Sequence, residues 1–197
     1  MSSPLFYFGR KPFLRIGEGA GGSFMRKGLL IVFTGEGKGK TTAALGMALR
    51  AAGHGLRVLI LQFIKGSWSY GELEALKRFE EITTERLGSG FTWDKENLEE
   101  DARLAKAGWE RAVVAMKESS WDLIILDELN YVLSYQLLPL EPVLLALKQR
   151  RQELHIVITG RGAPEELVCA ADLVTEMRAI KHPYHEQGVK AQLGIEF

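Results

Sequence analysis

A strand, a glycine-rich turn and a helix follow one another without a break near the start of this 197-residue chain. The apolar run over 29–33 leads directly into the stretch 34–42, TGEGKGKTT, and a helical pattern begins at its end. Glycines let successive backbone N–H groups point inward at an anion, and the following helix adds the positive end of its dipole. In such a loop the lysine contacts the phosphates, and the hydroxyl of the next residue binds Mg²⁺. Here these residues are Lys40 and Thr41. The stretch therefore predicts a phosphate-binding loop.

The loop is one residue shorter than the usual form, G-x-x-x-x-G-K-[ST]. Counting back from Gly39 places the first glycine of that form at Thr34, whereas the chain has its glycine at Gly35. An additional lysine, Lys38, lies inside the shortened loop. We therefore expect a triphosphate to be held differently here from the way motor ATPases and GTPases hold one.

Composition narrows the class of protein. With 46% hydrophobic residues, the chain is large enough for one well-buried core. The 25 basic residues balance the 25 acidic ones, so the composition does not favour nucleic acid as a partner. No apolar run approaches the roughly 20 residues of a membrane span. The single cysteine, Cys169, excludes an internal disulfide framework and fits a cytoplasmic location, and its apolar neighbours predict that it is a small buried hydrophobic residue.

Residues 1–27 differ from the rest of the chain. The segment 17–23, GEGAGGS, has the composition of a linker, and the residues before it show neither helical nor strand periodicity. We therefore predict a flexible N-terminal arm over 1–27 and a single domain over 28–197.

Strand patterns alternate with helix patterns through the predicted domain. After the first strand, apolar runs predict strands near 57–63, 82–87, 121–126, 154–158 and 173–177. Helical periodicity occurs near 43–53, 72–79, 97–116, 139–148 and 164–171, before a polar tail. This alternation predicts an α/β fold, a P-loop NTPase-like (RecA-like) doubly wound and mainly parallel sheet flanked by helices.

Polar residues follow the predicted strands where ligands gather in such sheets, at the carboxyl ends. Asp127 and Glu128 follow four apolar residues, as do the carboxylates that hold Mg²⁺ in nucleotide sites. The alternative is that Asp127 caps the following turn, and the upstream phosphate loop favours the metal role. The ends of two other strands place Gln62 and Thr159-Gly160-Arg161 at the same edge, where Arg161 is the glycine-flanked arginine.

The sequence lacks several signatures of other catalytic classes. Protein-kinase H-R-D and D-F-G motifs are absent, the four histidines show no metal-ligand spacing, and no G-x-S-x-G elbow occurs. The chain therefore offers ATP and Mg²⁺ handling without an obvious protein nucleophile. Either water or a second substrate must attack the nucleotide.

The loop resembles the short phosphate loop of the P-loop corrinoid adenosyltransferases. Other segments share the resemblance, in order and over about residues 28–197: GHG at 53–55, QFIKG at 62–66, GFTW at 90–93, LDEL at 126–129, ITGRG at 158–162, KH at 181–182, GVKAQ at 188–192 and GI at 194–195. Glu36 departs from the pattern, because the family often has Asn or Asp there. Only the phosphate loop is shared widely with other proteins that use ATP.

The resemblance implies a reaction that fits both the shortened phosphate loop and the lack of a protein nucleophile. The Co(I) of a reduced corrinoid attacks the 5′-carbon of ATP and expels triphosphate, so the protein needs no nucleophile of its own. Mg²⁺ would be held by Thr41, Glu128 and Asp127, with ATP as co-substrate. The ATP-binding residues are then Gly35, Glu36, Gly37, Lys38, Gly39, Lys40, Thr41, Thr42 and Arg161. The resemblance also implies a homodimer, with an electron-donor flavoprotein as a candidate partner.

Phe91 and Trp93 are implied, with Lys40, as catalytic residues. Alternate residues of an extended segment point to one side, so both rings can face the corrin together. The resemblance implies that they occupy the lower face of cobalt and displace an axial ligand, so that cob(II)alamin can be reduced. Taken alone, one Phe and one Trp would be read as core residues.

Two other functions compete with adenosyl transfer. One is a P-loop small-molecule or nucleoside kinase, which cuts at the γ-phosphate. The other is a non-catalytic ATP-responsive regulator or a partner-binding ATPase. Their products separate them, because intact triphosphate indicates adenosyl transfer whereas ADP indicates a kinase or an ATPase.

Overall fold

The computed structural model describes residues 27–64, 71–88 and 98–196. The predicted arm over 1–27, apart from its last residue, and the predicted catalytic residues Phe91 and Trp93 lie outside these ranges. In the described ranges, no helix combines the length and the apolar content needed to cross a membrane.

Six strands form one parallel sheet. The strands are β1 (Leu30–Thr34), β2 (Val58–Gln62), β3 (Ile82–Arg86), β4 (Leu123–Asp127), β5 (His155–Thr159) and β6 (Leu173–Glu176). Their order across the sheet is β3-β2-β4-β5-β1-β6, so β5 separates the strand before the phosphate loop from the strand that ends at Asp127. The helices are α1 (Lys40–Gly53), α2 (Gly71–Leu76), α3 (Leu98–Lys117), α4 (Leu129–Ser134), α5 (Leu140–Lys148), α6 (Glu165–Ala170) and α7 (Pro183–Gln187).

The two faces of the sheet bury different helices because alternate residues of each strand point in opposite directions. On one face, α1 and α2 pack through residues such as Ala44, Ala48 and Leu76. On the other face, α3, α4, α5 and α6 pack against the sheet. The central strands β2 and β4 are buried along their whole length, which explains why their sequences read as near-continuous apolar runs.

The predicted fold class is confirmed: the sheet is parallel and helices cover both faces. Two short helices were not predicted. The six residues of α4 are too few to show helical periodicity, and α7 lies within the stretch that reads as a polar tail.

The prediction that Cys169 is buried is wrong. Cys169 is exposed, whereas Leu167, two residues earlier on α6, is fully buried against the sheet. Two residues along an α-helix turn by about 200°, so these side chains occupy opposite faces. Apolar neighbours in the sequence therefore did not make Cys169 a core residue.

This placement predicts different effects for two substitutions on α6. Leu167→Ala should lower the free energy of unfolding by about 2–5 kcal/mol, because it leaves a cavity in the core. Cys169→Ala, the matched control, should change it by no more than about 0.5 kcal/mol. Urea denaturation of the three proteins measures both effects, and equal losses would contradict the placement of α6.

Candidate active site

The phosphate loop follows β1 as a tight turn with two glycines in the left-handed region. Gly35 has a φ of 93° and Gly39 a φ of 109°, conformations that L side chains rarely adopt. Lys40, at the start of α1, folds back so that its ammonium donates to the carbonyl oxygens of Gly35 and Gly37, each at 2.6 Å. The loop therefore curls around the head of its own lysine, which is only 8% exposed.

The end of β6 supports the loop from behind. The N–H of Gly37 donates to the carbonyl oxygen of Met177 at 2.6 Å. A Cβ added at Gly35 would lie 2.5 Å from that oxygen, and one at Gly37 would lie 2.7 Å from the backbone of Arg178. Side chains at these positions would push the loop away from the sheet, so close backbone packing requires glycine at both.

Three polar side chains stand side by side at the carboxyl ends of three neighbouring strands. Gln62 of β2 is in register with Asp127 of β4, and Thr159 of β5 lies on the other side of Asp127. The carboxylate of Asp127, 1% exposed, accepts hydrogen bonds from Thr159 Oγ1 at 2.8 Å and from Gln62 Nε2 at 3.2 Å. Thr41 of α1 also donates its hydroxyl to Asp127, at 2.9 Å. The phosphate loop and the carboxylate predicted from the sequence are thus joined directly.

Glu128, the residue after Asp127, is held in a strained backbone conformation. Its φ is 66°, which is unusual for a residue with a side chain, and such strain clusters at functional sites. Its N–H donates to Thr159 Oγ1 at 2.9 Å, so Thr159 links the backbone of Glu128 to the carboxylate of Asp127. A Cβ added at Gly160 would lie 3.1 Å from Glu128 Oε2, which places the Glu128 carboxylate against the turn that follows β5.

Asn130 fixes the same turn to the strand before the phosphate loop. The side chain is fully buried, and its Nδ2 donates to the carbonyl oxygens of Gly160 at 2.9 Å and Phe33 at 3.3 Å. These bonds join the ends of β5 and β1. Asn130 therefore sets the position from which Arg161 projects.

Two ion pairs lie over the loop. Arg161 Nη1 is 3.2 Å from Glu36 Oε2, and Lys38 pairs with Glu196 near the end of the chain. Burial lowers the pKa of Lys40 from its ordinary value of 10.5; Glu128 and Glu36 oppose this shift, and Arg161 adds to it. The loop thus carries a buried cation whose charge is not fully compensated by its neighbours.

The structure brings together most of the predicted site residues. Lys40, Thr41, Asp127, Glu128, Glu36 and Arg161 meet at one edge, with Thr42 exposed on the first turn of α1. Among the described residues, no three His, Cys, Asp or Glu side chains form a metal-binding cluster. The sequence patterns did not predict the contacts of Asn130 and Glu196. For Gln62 and Thr159 they predicted the position at the edge of the sheet but not the hydrogen bonds to Asp127. Gln62 and Asn130 are polar residues within apolar runs, and this pattern could have indicated that their side chains make buried hydrogen bonds.

Comparison with known proteins decides the family. The model of the family described as ATP:corrinoid adenosyltransferase BtuR/CobO/CobP matches residues 26–197. The chain belongs to this family. It is 45% identical over 171 residues to the corrinoid adenosyltransferase of Escherichia coli (strain K12), covering 87% of this chain and 86% of that protein. It is 43% identical over 171 residues to the corrinoid adenosyltransferase CobA of Salmonella typhimurium, with the same coverage.

Among solved structures, the adenosyltransferase is similar in fold to the flagellar accessory protein FlaH from Methanocaldococcus jannaschii. The two are 16% identical, the match covers 77% of this chain and 71% of FlaH, and the TM-score is 0.48. Membership of the family makes the chain a transferase that uses ATP.

The buried state of Lys40 predicts a pH dependence of stability. Because the pKa of Lys40 is lower in the folded chain than in the unfolded one, the unfolded chain binds more protons between the two values. The free energy of unfolding therefore gains a contribution that rises with pH as the pH approaches 10.5. Lys40→Met removes this contribution, whereas Lys148→Met, on an exposed lysine of α5, should retain it.

Urea unfolding of the three proteins, measured from about pH 8 to about pH 10.5 without nucleotide, tests this expectation. The difference between wild type and Lys40→Met should grow in favour of wild type as the pH rises. Parallel pH profiles for these two proteins would show that burial does not perturb Lys40.

Proposed function

We propose that this adenosyltransferase moves the 5′-deoxyadenosyl group of ATP to the Co(I) of a reduced corrinoid. The cobalt–carbon bond forms with the electron pair of Co(I), the C5′–oxygen bond breaks, and triphosphate leaves with that bond's electrons. The observation that carries the proposal is the hydrogen bond from Thr41 to Asp127, which joins a short phosphate loop to a carboxylate in a chain of this family. The protein's task is to orient C5′ and to stabilise charge on the leaving group.

The cations around the loop suit a triphosphate leaving group. Lys40 and Lys38 belong to the loop, and Arg161 projects from the turn after β5 toward Glu36 in the loop. Negative charge grows on the oxygen of the α-phosphate as the bond to C5′ breaks. Positive groups and backbone N–H donors that are already in place stabilise this charge without reorganising. We assign ATP binding to residues 35–42 with Arg161.

The oxygen atoms at the edge of the sheet fit a hard cation such as Mg²⁺. Thr41 gives its hydroxyl hydrogen to Asp127, which leaves the lone pairs of Oγ1 for a cation. Asp127 and Glu128 supply carboxylate oxygens nearby, the ligand type that Mg²⁺ prefers. We propose that these three residues hold Mg²⁺, which would neutralise part of the charge on the triphosphate.

The corrinoid is assigned to the segment that carries Phe91 and Trp93, which lies outside the described residues. We propose that both rings cover the lower face of cobalt and keep an axial ligand away, so that Co(II) can be reduced. The other parts of the proposal are a homodimer, an electron-donor flavoprotein as a partner and an N-terminal arm over 1–27.

Product analysis tests the reaction. The protein, Mg²⁺, ATP and chemically reduced cob(I)alamin under anaerobic conditions should give adenosylcobalamin and intact triphosphate in equal amounts. Lys40→Ala should weaken ATP binding about 10- to 150-fold, because a hydrogen bond to a charged group contributes about 1.5–3 kcal/mol. Lys148→Ala, on the exposed surface of α5, should bind as wild type. Formation of ADP in place of triphosphate would support the kinase or ATPase alternatives.

Trp93→Ala should separate two steps. Turnover from cob(II)alamin with a weak reductant should fall steeply, because the axial ligand is no longer excluded and Co(II) stays hard to reduce. Adenosylation of chemically pre-reduced cob(I)alamin should be largely retained. The two rates are compared in the same preparation, together with its melting temperature. Equal losses in both assays with a lower melting temperature would instead indicate a core residue.

A further inference from the structure

Gln62 is a buried amide in a strand that is otherwise apolar. It ends β2, whose other four residues are Val58, Leu59, Ile60 and Leu61, and all five are buried. The Gln62 side chain is 1% exposed. Burying an amide is unfavourable unless both of its ends find hydrogen-bond partners, whereas methionine would fill a similar volume without that cost. The amide group therefore requires an explanation beyond packing.

One end of this amide is explained by Asp127. Nε2 donates to Asp127 Oδ2 at 3.2 Å, while the hydroxyls of Thr41 and Thr159 both donate to Oδ1. The two carboxylate oxygens are thus held by donors from three different elements, and the plane of the carboxylate is fixed. Gln62 supplies the donor to Oδ2.

The other end has no partner. Oε1 of Gln62 is buried and accepts no hydrogen bond from the described residues. An amide oxygen lies only about 2.3 Å from the nitrogen of the same group. Because Nε2 is 3.2 Å from Asp127 Oδ2, Oε1 lies at most about 5.5 Å from that oxygen. An acceptor in this position fits a donor that arrives with the ligands of the site.

A cation-bound water is such a donor. Mg²⁺ gives up its waters reluctantly and usually keeps several of them in nucleotide sites. A water polarised by the cation donates strongly, and outer partners of this kind orient the groups that hold a metal. We propose that Gln62 is a positioning residue for the cation that accompanies ATP. Its Nε2 orients the Asp127 carboxylate, and its Oε1 accepts a hydrogen bond from a water of the cation's shell. This inference rests on the Mg²⁺ site proposed above.

The test compares ATP binding with and without metal. The metal-linkage ratio is the Kd for ATP in EDTA divided by the Kd in saturating Mg²⁺, measured by calorimetry in the absence of corrinoid. In Gln62→Met this ratio should fall about tenfold, the loss typical when an outer partner of a metal site is removed, and the Kd in EDTA should stay within about twofold of wild type. Gln149→Met, the same change on the exposed surface at the end of α5, should leave both constants unchanged.

Gln62→Glu moves the ratio in the opposite direction. It keeps the shape and an acceptor oxygen. Because two buried carboxylates in contact cannot both ionise, the new carboxyl group is neutral without metal and becomes a negative charge that attracts Mg²⁺ when the cation binds. The ratio should therefore rise above that of wild type. A purely structural role for Gln62 predicts lower melting temperatures in both variants without opposite shifts of the ratio.

Two results would overturn the inference. If both dissociation constants of Gln62→Met rise by the same factor, Gln62 contacts the nucleotide and not the cation's shell. If neither constant changes, Oε1 has no ligand of this kind. Thr41→Ala and Asp127→Asn separate this failure from that of the Mg²⁺ site itself. When they lower the ratio and Gln62→Met does not, only the role of Gln62 is wrong; when none of the three lowers it, the Mg²⁺ site is wrong as well.

Discussion

The buried carboxylate of Asp127 is the interaction on which the rest of the site depends. A carboxylate removed from water is very unfavourable unless donors surround it, and here β2, β5 and α1 each supply one. Because these donors come from separate elements, the carboxylate also sets the distances between them. The start of α1, and with it the phosphate loop, is tied to the sheet by the hydroxyl of Thr41. Loss of this charge would loosen the loop and the two neighbouring strands together.

A second constraint is the contact between the loop and the end of β6. This strand lies at the edge of the sheet, and each of its four residues is exposed. Its continuation at Met177 nevertheless receives the N–H of Gly37, and its backbone fills the space where side chains at Gly35 and Gly37 would lie. The glycines of the motif therefore serve two surfaces, one toward the ligand and one toward the protein. This is a physical reason for glycine at 35 and 37 that the phosphate alone does not give.

Much of this architecture could be predicted from the sequence because its signals are local. The strand patterns identify all six strands, and the phosphate loop and Asp127 follow from residue type and position at strand ends. What could not be predicted depends on tertiary structure. The exposure of Cys169 depends on which face of α6 packs on the sheet, and the pairing of Lys38 with Glu196 joins residues 158 positions apart. The bonds of Asn130 likewise join ends of strands that are distant in the sequence.

The three cations in and around the loop are each bound by groups of the protein itself. Lys40 is bound by two carbonyl oxygens, Arg161 by Glu36 and Lys38 by Glu196. In the proposed function, a triphosphate would replace these internal partners with its own phosphate oxygens. The net gain on binding is then smaller than the number of phosphate contacts suggests, because each new contact replaces an existing one. The same partners would then bind the cations again once the 5′-deoxyadenosyl group has been transferred, which would favour release of the highly charged triphosphate.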